Sequence, residues 1–233
     1  MFTIQSHGKV KQEEKEMTEE EKKSLAAQLR KPSGEIGVEV ADFMNKGNEL
    51  INRNTIKQLN LKDRQTVLEV GMGNGKFIPE LLEIAQDLHY IGCDFSELMV
   101  SESKANNKDL VERGMVQFHH TTASDLPVGD QSVDSIFTVN TLYFWEDQSA
   151  ILNEFKRVLK HQGQLAIGIR PKALMRHYGF VKYGFNMFDP EDVVSLLEEH
   201  DFKQVNYVLI DEPDFETEEE RFEVKSLVVV GQA

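Results

Sequence analysis

Three glycines and three carboxylates are the residues of this chain whose types and spacing could do chemistry. Gly71, Gly73 and Gly75 follow the apolar run Val67-Leu68-Glu69-Val70. Glycine lets a backbone turn sharply and approach a ligand where a Cβ would clash, and ligands gather at the carboxyl ends of parallel strands. The spacing is Gly-x-Gly-x-Gly, with Lys76 where a dinucleotide fold wants a third small residue. Nor is it a phosphate-binding loop, which needs Gly-Lys-Ser/Thr after a longer gap. Glu69 stands two residues before the first glycine, awkward beside a pyrophosphate but suited to a cationic ligand. Asp94 ends the next strand pattern, placed to accept hydrogen bonds from both hydroxyls of a ribose. Asp125 follows the third, in Ala123-Ser124-Asp125-Leu126-Pro127. Acids at three successive strand ends point to an adenosine ligand that carries positive charge and no phosphate. S-adenosylmethionine, with its sulfonium and ammonium groups, fits that description.

The elements that must position these residues alternate along the chain. Strand patterns fall at 66–70, 89–93, 116–119, 133–139, 164–169, 204–210 and 224–230. Helical patterns lie between them at 76–85, 97–111, 146–160 and 190–200. Such alternation predicts an α/β fold: a Rossmann-like, doubly wound, mostly parallel seven-stranded sheet with helices on both faces and an antiparallel edge strand. Two helices come first. Thr18-Glu19-Glu20-Glu21 has capping-box form and Lys31-Pro32-Ser33-Gly34 stops the first helix; a second spans 36–60. The domain reading is a flexible arm at 1–17, an N-terminal helical lid at 18–60 with Met44 and Asn45 toward the cofactor, and the catalytic domain at 61–233. The acidic stretch 211–223 reads as a long mobile loop.

Composition narrows the function classes. Of 233 residues, 40% are apolar, enough for a sizeable core, and the net charge is −14. Residues 189–224 hold 14 acids against Lys203 and Arg221, so the acidity belongs to the C-terminal part. Such a chain is a poor partner for nucleic acid or an anionic membrane, both of which call for a basic surface. The single cysteine, Cys93, excludes an internal disulfide and a cysteine-rich zinc site. No apolar stretch approaches the roughly 18–20 residues of a spanning helix. The N-terminus lacks a signal peptide's basic flank and apolar run, so the expected compartment is the cytoplasm. No metal site is expected, because His119 and His120 are adjacent on a strand and point to opposite faces.

The run from Thr66 to Pro171 resembles the class I S-adenosylmethionine-dependent methyltransferases, in particular the type 11 branch like ubiquinone/menaquinone-biosynthesis enzymes. The matching blocks are 67–77, 91–99, 124–134, 137–145 and 157–163. The resemblance implies that Gly71, Gly73 and Gly75 line the methionine and ribose of the cofactor, with Glu69 orienting the loop or the ammonium group through water. It implies that Asp94 holds the ribose hydroxyls and that Phe95 and Met99 flank the adenine. Asp125 would accept from the adenine amino group, helped by the backbone at Ser124 and Leu126. Asn140 would offer its backbone carbonyl to the methionine ammonium. The family more often has Asp where this chain has Glu69.

The acceptor side is less marked, because methyl transfer needs positioning and water exclusion more than a fixed triad. Tyr143 and Trp145, after the fourth strand, are candidate substrate contacts. Residues 170–185 gather Arg170, Lys172, Arg176 and Lys182 with Tyr178, Phe180, Tyr183 and Phe185 and hold no acid. Arg176 and Tyr178 are expected to hold an aromatic or anionic small molecule, and His177 and Tyr143 are the candidates for acid–base work. The expected function is therefore methyl transfer to an O, N or C nucleophile of a small-molecule acceptor. Methylation of nucleic-acid amino groups needs a Pro-Pro-aromatic turn where this chain reads Asn140-Thr141-Leu142-Tyr143. A protein methyltransferase and a non-catalytic cofactor-binding module remain open. An NAD(P)-dependent dehydrogenase is disfavoured by Glu69 and Lys76.

Overall fold

A computed structural model describes residues 17–216 and 221–233, so the arm expected at 1–17 lies outside it except for Met17. Helix α1 (Glu19–Arg30) begins at the capping box of Thr18 and Glu21. Pro32 disfavours the helical conformation in Lys31 and ends it. Helix α2 (Gly34–Gln58) buries Val40, Ala41, Ile51, Thr55 and Ile56. There follow β1 (Thr66–Val70), α3 (Ile78–Leu82), β2 (His89–Asp94), α4 (Glu97–Asn106), α5 (Lys108–Glu112), β3 (Val116–His120) and β4 (Val133–Val139). A 3-10 turn (Leu142–Phe144) leads to α6 (Gln148–Val158), β5 (Leu159–Ile169), α7 (Lys172–Met175) and α8 (Pro190–Glu199). The chain closes with β6 (Lys203–Asp211), β7 (Phe215–Glu216), β8 (Arg221–Phe222) and β9 (Lys225–Gln232).

Seven strands form one sheet in the order β3-β2-β1-β4-β5-β9-β6. The first five run parallel, and β9 is antiparallel to both β5 and β6. This is the expected Rossmann-like doubly wound fold. Each face is covered, so successive strand residues serve opposite cores: Val67 belongs to the cluster that holds Ile51, Ile78 and Leu81, while Leu68 belongs to the one that holds Leu152, Phe155 and Leu197. Full burial of such side chains is worth about 1.5–3 kcal/mol each. Helix α2 lies close on the sheet because Gly168 leaves room: a Cβ there would meet Thr55 Oγ1 at 2.0 Å. Strand order reverses at β1, between β2 and β4, and the crevice at such a switch point is where this architecture binds ligands.

Four local expectations are corrected. Helix α3 is shorter than 76–85, because Arg64 N–H bonds the Gln86 carbonyl and Gln86 N–H bonds Asp63, drawing the chain away after Glu83. The helix expected over 97–111 breaks at Asn107, whose side-chain amide takes the Ser103 and Gly75 carbonyls. Strand β5 begins at Leu159 rather than 164. There Leu159 already pairs with Val133, and a register shift spans the polar residues before Gln164. The acidic stretch after β6 is not a plain loop: Phe215 pairs with Phe222 and Glu216 with Arg221 in a small hairpin.

Candidate active site

The glycine loop leaves β1 in left-handed conformations, with φ of +78° at Gly71, +58° at Gly73 and +72° at Gly75. Side chains of other residues would be strained there. Its carbonyls are taken from behind by α4. Ser103 Oγ donates to Gly73 O at 2.8 Å, Asn106 Nδ2 to Asn74 O at 3.0 Å and Asn107 Nδ2 to Gly75 O at 3.1 Å. Ser103 and Asn106 share one face of α4 and Asn107 caps its end, so the last turn of one helix and its cap hold three consecutive peptide groups. A Cβ on Gly73 would meet nothing within 4 Å, whereas one on Gly71 would strike Thr141 Cγ2 at 2.3 Å. Open space therefore lies against Gly73.

Asp94 borders that space from the end of β2. Its carboxylate is 7% exposed and accepts from Gly73 N–H at 3.1 Å and Ser96 N–H at 2.8 Å. Burial pushes its pKa up to about 6, against the pull of those two N–H groups. Glu69 is buried one strand over, on β1 opposite Gly92. Burial pushes its carboxyl up to about 7, opposed by a hydrogen bond from Tyr90 and reinforced by the charge of Asp94. Phe95 is half-buried with Lys31 Nζ 5.3 Å from its ring centroid, and Met99 is fully buried. Ser124 and Asp125 are exposed and Leu126 is buried. Their loop is clamped by α6, where Glu154 accepts from Leu126 N–H at 2.7 Å and Arg157 donates to the Leu126 and Val128 carbonyls.

Asn140 ends β4 with φ of +56°, and its side chain bonds Asn48 of α2 at 3.0 Å. Helix α2 also reaches the glycine loop through Asp42, 3.5 Å from Asn74 Nδ2, while Met44 and Asn45 are half-buried. Asn74 Oδ1 is buried without a hydrogen-bond partner among the described residues. Helix α1 runs from the Phe95 side to the segment after β5. Pro32 O accepts from Ser96 Oγ at 2.6 Å, Arg30 pairs with Glu146, and Glu19 takes Lys182 and the Tyr183 hydroxyl.

The acceptor candidates are placed unevenly. Tyr143 is 2% exposed; its oxygen accepts from Arg170 N–H at 2.5 Å and lies 3.0 Å from Asn140 Oδ1. Burial holds its pKa well above the ordinary phenol value, against the pull of that N–H. It is thus a holding group in the wall and not a free acid or base. Trp145 is also buried: its indole N–H donates to Thr141 Oγ1 at 3.2 Å and its ring meets Phe155 edge-on. Arg176 and His177 are exposed, and the His177 ring lies 4.9 Å from that of Phe222 in the C-terminal hairpin. Tyr178, 37% exposed, stacks on Phe180 at 5.3 Å, which continues through Phe185 to Phe144. The basic look of this segment is largely cancelled, since Arg170 pairs with Glu212, Lys172 with Asp189 and Lys182 with Glu19.

The residues present fit the expected cofactor. A buried carboxylate at the end of β2, an open glycine cradle and a second buried acid form a set suited to a ribose and a cationic tail. Fold and site together define a protein of the doubly wound α/β class with an open glycine cradle beside its switch point. Comparison with known proteins gives the family. A model described as "Methyltransferase domain" matches residues 68–167. The chain is 30% identical over 125 residues to an uncharacterised methyltransferase, YdaC, of Bacillus subtilis, covering 54% of this chain and 67% of that one. It is 27% identical over 184 residues to the O-methyltransferase resE of Aspergillus sclerotiorum, covering 76% and 67% respectively. Its fold is similar to that of a SAM-dependent methyltransferase from Aquifex aeolicus, with a TM-score of 0.62, 21% identity, and coverage of 82% and 96%. The chain belongs to the methyltransferase domain family. It is an S-adenosylmethionine-dependent methyltransferase.

Sequence reasoning missed the α4 residues behind the loop, Asn48 on α2, and the Arg170–Glu212 pair. The first had a signal in the three-four spacing of Ser103, Asn106 and Asn107. The others join residues far apart in the chain and left none.

Proposed function

We propose that this methyltransferase acts on a small, flat acceptor, transferring methyl to an O, N or C nucleophile mainly by positioning it. The observation that carries the reading is the run of partly exposed rings after β5, Tyr178, Phe180 and Phe185, continued by Phe144. Aromatic faces of this kind hold planar ligands by offset or edge contact. The pairing of Arg170, Lys172 and Lys182 with acids favours an aromatic over a strongly anionic acceptor and leaves Arg176 to meet one negative group. The name of the relative resE, an O-methyltransferase, supports a small-molecule oxygen acceptor. The five sequence blocks support the branch that resembles ubiquinone/menaquinone-biosynthesis enzymes.

In this reading Gly71, Gly73, Gly75, Glu69 and the Asn140 carbonyl hold the methionine part of the cofactor. Asp94 holds the ribose, and Phe95, Met99, Ser124, Asp125 and Leu126 hold the adenine. Helices α1 and α2 form a lid that excludes water, fastened at Glu19–Lys182 and Arg30–Glu146. The bound cofactor supplies a methyl group activated on sulfonium, and the chain aligns the acceptor for in-line attack. The lone free Cys93 agrees with a reducing compartment, the cytoplasm.

A screen of phenols, carboxylic acids, amines and proteins with labelled cofactor tests the proposal. A flat phenolic or enolic acceptor should be methylated. Arg176→Ala and Tyr178→Ala should each raise its KM about tenfold without weakening cofactor binding. Methylation confined to protein acceptors would sink the reading.

A further inference from the structure

Five residues close a ring around the end of β4. Arg170 N–H donates to the Tyr143 oxygen at 2.5 Å. The Tyr143 O–H has one proton, with Asn140 Oδ1 at 3.0 Å and Arg170 O at 3.2 Å; the shorter contact takes it. That leaves Asn140 Nδ2 as a donor, and it bonds Asn48 Oδ1 at 3.0 Å. The neighbouring residue on α2, Gly47, accepts through its carbonyl from Arg170 Nη2 at 2.9 Å. Arg170 donates at both of its ends, and Tyr143 and Asn140 each accept and donate in turn. The peptide link between the two acceptors Gly47 and Asn48 closes the ring, which also fixes the orientation of the Asn140 amide.

The ring surrounds a residue that bears local strain. Asn140 has φ of +56°, the left-handed region, which costs a non-glycine residue roughly 1 kcal/mol or more. Both ends of its amide are held, one by Tyr143 and the other by Asn48, so the side chain cannot turn without breaking a bond. The adjoining peptide is held by the same clamp, and with it the direction of the Asn140 carbonyl.

We infer that Asn48 and Tyr143 are positioning residues for the amino-acid end of the cofactor, acting through Asn140 and tying its carbonyl to the seating of α2. The inference rests on the proposed role of that carbonyl toward the methionine ammonium. It gives Asn48 a function that sequence reasoning did not reach, and gives Tyr143 one that needs no ionisation. Because Gly47 and Asn48 are on α2, displacement of the helix opens the ring and releases Asn140 from its left-handed turn.

The test compares ligands that do and do not carry the ammonium group. S-adenosylmethionine and S-adenosylhomocysteine have it; 5′-methylthioadenosine keeps the adenosine half and lacks it. By calorimetry, Asn48→Ala and Tyr143→Phe should each weaken the first two about tenfold and leave 5′-methylthioadenosine unchanged. Asn48→Asp keeps an acceptor oxygen toward Asn140 Nδ2 and should restore most of the loss. Unchanged binding of all three ligands would overturn the inference. So would an equal loss for all three, which marks a general disturbance of the fold. Failure of the unaltered protein to bind either full-length ligand, while binding 5′-methylthioadenosine, would overturn the role of the carbonyl itself. Failure to bind any of them would instead overturn the reading of the whole cofactor site.

Discussion

Tyr90 donates its phenolic hydrogen to the Glu69 carboxylate at 2.5 Å, with both side chains buried on one face of the sheet. A Cβ on Gly92, which pairs with Glu69 across the strands, would meet Met72 Sδ at 2.5 Å and Tyr90 Cε1 at 3.0 Å. The acid therefore sits beneath the glycine loop, in a place where water does not solvate its charge.

That placement makes cofactor binding pH-dependent. With its pKa raised to about 7 by burial, Glu69 is mostly neutral below that pH and ionised above it. Affinity for the sulfonium cofactor should rise as pH passes from 6 to 8, and rise less for S-adenosylhomocysteine, which lacks the sulfonium charge. Glu69→Gln should flatten the difference. Tyr90→Phe removes a bond that favours the carboxylate and should move the transition to higher pH. The same carboxyl titrates near 4.5 when unfolded, so the stability it contributes is full below that pH and lost as pH climbs through 7. Glu69→Gln should then raise the melting temperature at pH 8, measured by calorimetry in the absence of ligand.

The glycines of the loop should separate fold from function. Gly71→Ala combines a left-handed φ of +78° with a contact of 2.3 Å to Thr141 Cγ2, so it should destabilise the protein by several kcal/mol or prevent folding. Gly73→Ala meets nothing within 4 Å and bears only the conformational strain, on the order of 1 kcal/mol. Its methyl group would stand in the space proposed for the cofactor. Gly73→Ala should therefore melt within a few degrees of the unaltered protein yet bind S-adenosylmethionine at least tenfold more weakly. Normal binding by Gly73→Ala would remove the cofactor from that space.

The legibility of this chain followed the range of its interactions. The order of strands and helices was readable because alternation and capping are local: Thr18 with Glu21, and Asp189 with Asp192, sit three residues apart. The glycines and Asp94 were readable because left-handed turns and strand-end acids leave a mark at fixed spacing. Tyr143 and Trp145 looked like acceptor contacts, since an aromatic residue after a strand reads the same whether it faces a ligand or the core. Residues 170–185 looked basic because Glu212, Asp189 and Glu19, which pair with Arg170, Lys172 and Lys182, all lie outside that window. Lys160-His161-Gln162-Gly163 is polar and carries no strand pattern, and only its place opposite β4 makes it part of β5.

Arg170 and Glu212 form a buried ion pair at the end of β5. The two side chains are 10% and 5% exposed, and the guanidinium meets both carboxylate oxygens, at 2.6 and 3.0 Å. Glu212 also accepts from Ser226 Oγ, which in turn accepts from Asn54 of α2 at 3.0 Å. The network ties α2, the end of β5 and the start of the acidic hairpin at one point. Removing one member leaves the other charged and desolvated, which costs about 3–5 kcal/mol. For a domain of this size that is a fall in melting temperature on the order of 10 °C. Glu212→Leu and Arg170→Met should each show it, in high salt as in low, because screening is weak for buried pairs. The double variant Arg170→Met/Glu212→Leu should regain much of the loss, since two apolar groups replace the pair without stranding a charge. The exposed contact of Glu19 with Lys182 is the control, and Glu19→Ala should leave the melting temperature nearly unchanged. Additive losses in the double variant would show that Arg170 and Glu212 stabilise the fold through other partners and not through each other.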